Sequence, residues 1–236
     1  HDPAAGPARV PGRDQGLNRR RAPDRSTSRT VREANSAFRF AIFSRAVAER
    51  MVGFTKEPIM KNVGIKSLTI DTTHSTVGFV VRHMVVSKVR GTFGAFKGTI
   101  AYDPERIERS TVEVEIDAAS IDTREPKRDA HLRSADFFDV EQFPTIRFHS
   151  TSVKRTDDDT LAVTGELTMR GVTREVTLIA DELGGGKDPW GNDRVAWSAR
   201  VAVNRKDWGL NWNQLLEAGG VLVSDKIDIE LEIQAL

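Results

Sequence analysis

Between residues 111 and 117 the chain alternates. Val112, Val114 and Ile116 are apolar, whereas Glu113, Glu115 and Asp117 are charged. The same period of two returns near the C-terminus, where Ile227, Ile229, Leu231 and Ile233 alternate with Asp228, Glu230, Glu232 and Gln234. Successive side chains of a strand point to opposite faces, so each segment has one face for a core and one for water. One-sided burial belongs to antiparallel sheets. Parallel sheets covered by helices on both faces give unbroken apolar runs instead, which argues against a doubly wound nucleotide-binding fold.

Further segments obey the same rule. Val77, Phe79, Val81, His83 and Val85 share a face of 76–86. Ile146 and Phe148 share one in 145–151, opposite Arg147 and His149. Residues 160–169 and 174–180 read as a hairpin around Arg170–Thr173, where Gly171 is free to take a positive φ. Trp197, Ala199, Val201 and Val203 mark another strand, after a turn region at Gly184–Gly186 and Pro189–Gly191. The pattern predicts an all-β domain over 61–236, with about eight antiparallel strands closing into a barrel that removes exposed edges. Two short helices interrupt it. Asp122 or Thr123 is the expected cap of a helix over 124–134, with Pro126 in its first turn and Asp129 paired to Arg133 one turn later. A second is expected at 213–218, stopped by Gly219-Gly220.

Composition separates the first 60 residues from the rest. The whole chain is nearly balanced, with 35 Lys+Arg and 34 Asp+Glu, but residues 1–60 hold 12 basic and 6 acidic side chains. Residues 1–36 are rich in Arg, Pro, Gly, Ala and Ser, too poor in apolar surface to offset their ordering entropy, and are expected to be disordered. Residues 37–50 fit a short amphipathic helix, with Phe38, Ile42 and Ala46 on one face. Phe40–Phe43 is too short an apolar run to span a membrane, and no export signal is evident, so a cytoplasmic location is expected over a periplasmic or secreted one. The overall charge balance gives no global case for nucleic acid or an anionic membrane as a partner.

Catalytic signatures are scarce. The sequence has no cysteine, which removes thiol nucleophiles, disulfides and Cys-ligated metals. It has no G-x-S-x-G, H-E-x-x-H, Walker A or G-x-G-x-x-G motif. No metal or cofactor is expected. His149 lies on a charged face and reads as solvent-facing; His74 precedes a strand and reads as a turn organiser. His83 on an apolar face and His131 on the first helix are the candidates for acid–base chemistry, each set against a plain packing role. The aromatic residues present the same choice at larger scale. A filled core that binds a protein partner, or a cavity holding one apolar ligand, would both use Phe79, Phe93, Phe96, Phe137, Phe138, Phe148, Trp197, Trp208 and Trp212.

An ordered series of short motifs narrows the choice. Ile70-Asp71 is followed by His74-Ser75, Phe79 and His83, then by Val89–Phe93. Ser120–Thr123, Arg128–Ser134, Asp136–Asp139 and Phe143-Pro144 come next, then Gly165–Thr173, Trp190-Gly191 and Asn204–Leu210. From Leu68 to Leu236 this series resembles the YceI-like family of polyisoprenoid-binding, lipocalin-like domains. The resemblance implies binding, storage or transport of a long isoprenoid lipid, a prenyl quinone or prenyl phosphate, without turnover. The expected lining of its cavity is Phe79, Val81, His83, Phe93, Phe96, His131, Phe138, Phe148, Trp197 and Trp208. The oligomeric state is left open, a homodimer included.

Overall fold

The computed structural model describes residues 64–84, 87–215 and 221–236. The N-terminal extension, its expected helix at 37–50, and Val85 lie outside them. The described residues form one strongly curled antiparallel sheet of eleven strand segments with a single α-helix.

Eleven segments replace the expected eight because three long strands are each broken once. A turn separates β1 (Lys66–Thr69) from β2 (Thr76–His83); there Asp71 accepts from Thr73 N at 3.0 Å and meets His74 Nδ1 at 2.8 Å. Gly94-Ala95 separates β3 (Ser87–Phe93) from β4 (Phe96–Tyr102). A 3-10 turn at Ala118–Ser120, capped by Asp117, separates β5 (Thr111–Asp117) from β6 (Ile121–Asp122). Pairing continues across every break: Val77 faces Phe93 and Thr69 faces Thr99, while Phe93 faces Ile121 and Phe96 faces Ile116.

The remaining strands are β7 (Thr145–Asp157), β8 (Thr160–Met169), β9 (Val172–Lys187), β10 (Asp193–Asn204) and β11 (Val223–Ala235). They run as a meander from β5 to β11, and β11 then pairs with β2. The end of β11 also reaches β1. Ile70 bridges Ala235, and Thr69 and Leu236 exchange two backbone hydrogen bonds of 2.7 and 3.0 Å. The sheet therefore curls back onto its own first strand.

Local chemistry explains where the elements differ from expectation. The expected β8–β9 turn forms, with positive φ at both Arg170 and Gly171, as a two-residue hairpin loop requires. Gly184–Gly186, expected in a turn, belong to β9 and pair with Arg194–Ala196. The register slips by one residue there, leaving Leu183 as the extra residue of a bulge. The turn forms in the other expected stretch, around Pro189–Gly191, where Asp188 accepts from Trp190 N, Asn192 N, Asn192 Nδ2 and Arg194 Nε at 2.9–3.0 Å.

The helix α1 spans Pro126–Arg133, and its cap is Glu125, not Asp122 or Thr123. The Glu125 carboxylate accepts from Lys127 N and Arg128 N. Asp129 does not pair with Arg133. It turns inward and accepts from Thr123 N at 2.9 Å and Thr123 Oγ1 at 2.5 Å, while Arg133 donates to Ala119 O and Ile121 O. A buried, hydrogen-bonded carboxylate outweighs a surface ion pair of about 0.2–0.5 kcal/mol. The second expected helix is absent from 213–215, where Leu215 instead bridges Val221; its residues 216–218 lie outside the described set.

Candidate ligand-binding cavity

The inward rows of the curled sheet enclose an apolar cavity of about 260 Å³. Period-two alternation builds its wall. Val112, Val114 and Ile116 come from β5, Val176, Leu178 and Ala180 from β9. Trp197, Ala199, Val201 and Val203 come from β10, and Ile227, Ile229, Leu231 and Ile233 from β11. Leu132 of α1 and the following Phe137 and Phe138 add to the wall.

Two glycines set the aromatic rings of this wall. A Cβ at Gly165 would lie 2.6 Å from Cζ of Phe148, and one at Gly91 would run into the ring of Phe79. Absence of a side chain at these two positions lets each ring pack against the neighbouring strand. Phe79 then leans on Phe93, with centroids 5.9 Å apart, and Phe93 meets Phe138 edge-on at 5.8 Å.

The polar groups at the wall are engaged with protein partners. Tyr102 donates its hydroxyl to Glu182 at 2.8 Å, and Glu182 takes Arg155 at 2.6 Å on its other oxygen. Burial pushes the Tyr102 phenol above its ordinary range, with the Glu182 charge adding to the effect. Ser110 Oγ accepts from Asp103 N at 2.9 Å. Arg205 is only 4% exposed and donates to Leu210 O, to Trp212 O at 2.9 Å, to Ser224 O at 3.1 Å and to Asp225 at 3.3 Å. Burial pushes its guanidinium down from the ordinary value while Asp225 pulls it up, and arginine keeps its charge throughout.

The cavity has a closed end and an open one. At the closed end Tyr102, Ile107, Val153, Leu161, Ala180 and Trp197 are all buried, with Tyr102 edge-on to Trp197 at 5.4 Å. Toward the other end lie the half-buried Phe79, Val81, Leu132, Phe138, Met169, Val201 and Val223, together with the buried Phe137, Val203, Arg205 and Leu210.

Six of the ten residues singled out from the sequence line this cavity together: Phe79, Val81, Phe93, Phe138, Phe148 and Trp197. His83, Phe96, His131 and Trp208 stand outside its lining. His83 ends β2, half-buried. Phe96 packs against the core from β4. Trp208 is buried in a 3-10 turn and donates Nε1 to Leu167 O at 3.0 Å. His131 Nε2 lies 2.9 Å from Asp136 Oδ2, with its ring edge-on to Phe137 and Trp212. His149 is exposed, 3.3 Å from Glu113. Arg205 escaped sequence reading because no hydrophobic pattern marks a cation as wall; its only signal was its place in the Asn204–Leu210 motif.

Residues 68–235 match the model of the YceI-like domain. The chain belongs to the YceI-like family. A UPF0312 protein of Pseudomonas putida is 37% identical to it over 163 residues, which is 69% of this chain and 81% of that one. Among solved structures, Burkholderia cenocepacia BcnA matches with a TM-score of 0.63 at 21% identity, over 71% of this chain and 99% of its own. A polyisoprenoid binding domain from Saccharophagus degradans, implicated in plant cell wall breakdown, matches with a TM-score of 0.54 at 14% identity, over 71% of this chain and 97% of its own. These two likenesses establish a shared fold.

Proposed function

We propose that this YceI-like protein is a lipid binder whose curled sheet serves as a lipocalin-like barrel around one long isoprenoid chain, a prenyl quinone or a prenyl phosphate. The observation that carries the reading is the cavity wall itself: apolar side chains from successive strands, with the polar groups among them bonded to protein. Such a wall favours hydrocarbon and offers little to a polar ligand. Burying each methylene contributes about 0.8 kcal/mol, so part of a prenyl chain is enough for firm binding after its ordering cost is met. The polyisoprenoid-binding name of the Saccharophagus neighbour supports the same ligand class. Neither His83 nor His131 lines the cavity, which favours a carrier over an acid–base enzyme.

Organic extraction of purified protein followed by mass spectrometry tests the reading directly. An unaltered isoprenoid lipid is the expected extract. Val81→Trp, placed on the half-buried part of the wall, should remove most of it while costing about 1–3 kcal/mol of stability by overpacking. Unchanged isoprenoid binding by a folded Val81→Trp variant would count against the cavity as the site. Multiple turnover of a prenyl quinone or prenyl diphosphate, lost in His83→Gln or His131→Gln, would instead make the protein an enzyme.

A further inference from the structure

We propose that the rim at the open end of the cavity docks on an anionic lipid bilayer, from which the ligand is taken up or to which it is returned. The sense of this docking rests on the reading of the cavity as a lipid container; the docking itself is measurable without it.

Three large apolar side chains stand out of the protein at this rim. Leu215 is 81% exposed, Met84 46% and Val221 37%. Backbone links hold their positions close together: Leu215 bridges Val221, and Met84 N donates to Leu222 O at 2.9 Å. The patch adjoins the cavity directly. Val223, two residues from Val221, lines the cavity and pairs with His83, while Val81 lines it three residues before Met84. The rim is thus the exposed continuation of the apolar wall. Contiguous exposed apolar side chains beside a cavity mark a surface for another apolar phase.

Charge selects which phase. Arg82 and Lys88 sit directly opposite each other on β2 and β3, both exposed. Facing like charges weaken a strand pair. Of the acids nearby, Asp225 holds Lys206 at 2.9 Å and Arg205, Asp228 holds Lys226 at 3.1 Å, and Glu230 holds Arg90 at 2.7 Å, while exposed Asp207 has no ion pair among the described residues. Among the described residues Arg82 and Lys88 have no ion-pair partner. Two cations without ion-pair partners beside exposed Leu, Met and Val complement the surface of a bilayer with anionic headgroups.

Flotation of the full chain with vesicles provides the test, using phosphatidylcholine alone and phosphatidylcholine with phosphatidylglycerol. Wild type should bind the anionic vesicles. Met84→Asp/Leu215→Asp should weaken that binding at least about tenfold, equivalent to about 1.4 kcal/mol. Arg82→Glu/Lys88→Glu should weaken binding to anionic vesicles and leave neutral ones unaffected. Leu215→Ser alone, a milder surface change, should show a smaller loss in the same direction. Residues 1–60 carry a net excess of six basic side chains, so they supply the rival explanation. Vesicle binding that survives all three substitutions belongs to that extension and overturns the proposal, as does failure of wild type to bind at all. Delivery of a prenyl quinone separates this reading from that of the cavity. From cyclodextrin, Met84→Asp/Leu215→Asp should load as wild type does; from vesicles it should load about tenfold more slowly. Failure of wild type to load from cyclodextrin refutes the lipid-container reading while leaving the vesicle result to decide the docking.

Discussion

Arg205 shows how one residue can hold the fold and shape the cavity at once. Its guanidinium ties the 3-10 turn at Arg205–Trp208 to Leu210 O, Trp212 O and the start of β11 at Ser224 and Asp225. Arg205→Met keeps much of the side-chain length and removes every donor. Three backbone carbonyls would then lose an N–H in a buried region, at about 1–3 kcal/mol for each buried group left unsatisfied. Urea unfolding should therefore show a loss of about 3 kcal/mol or more, and an unchanged midpoint would refute this role. The sequence held the residue in plain view. What it did not hold was the convergence of three carbonyls on the guanidinium, two from the loop that follows it and one from the start of β11.

At the level of elements, the alternating segments were legible because period two and one-sided burial are properties of a strand by itself. The breaks were not, although the turns at Arg170-Gly171 and Pro189–Gly191 were. Nothing local marks Asp188 as the acceptor of four hydrogen bonds, whereas Gly184–Gly186 looks like a turn by composition and is in fact a bulged strand. The β9–β10 turn is held to the β1–β2 turn through Arg194, which donates to Asp188 at 3.0 Å and Asp71 at 2.5 Å. Hydrogen bonds to Arg194 and His74 hold the Asp71 carboxyl well below its usual range. Burial of Asp188 works against its ionisation, but donors from Asn192, Arg194 and Trp190 win and bring it down to about 2. Carboxylates depressed in the folded state stabilise it above the unfolded value near 3.9, and the contribution is lost as pH falls through the folded value. Stability should thus decline as pH drops from about 4 to about 2. Arg194→Gln should flatten that decline and lower stability at pH 7; acid unfolding curves of equal steepness for the two proteins would show that the arginine does not join the turns. The glycine cradles make a second prediction at this scale. Gly165→Val should drive the Phe148 ring off its seat, since the added Cβ would come within 2.6 Å of it. Lower thermal stability and weaker isoprenoid binding should appear together.

For the molecule as a whole, the antiparallel, barrel-like class followed from patterning, whereas the cavity could not. Sequence alone cannot tell a filled core from a hollow one, because both need the same inward rows. The structure separates them by the cavity itself, with Tyr102 packed edge-on to Trp197 at one end and half-buried Phe79 and Val81 toward the other. A closed end imposes a length limit. In a series of prenyl quinones with growing tails, affinity should climb with each added unit while new methylenes enter the wall, each contributing up to about 0.8 kcal/mol before ordering costs. Once the tail reaches the closed end, further units remain outside and affinity should level off. A hydroxyl placed near the tail's far end should cost about 1–3 kcal/mol, since the Tyr102 hydroxyl there is already committed to Glu182. Exchanging the head group at constant tail length should change affinity far less than shortening the tail. Quenching of the wall residue Trp197, with the other tryptophans replaced by phenylalanine, gives the measurement. Affinity that follows the head group and ignores tail length would place recognition at the rim and not in the cavity.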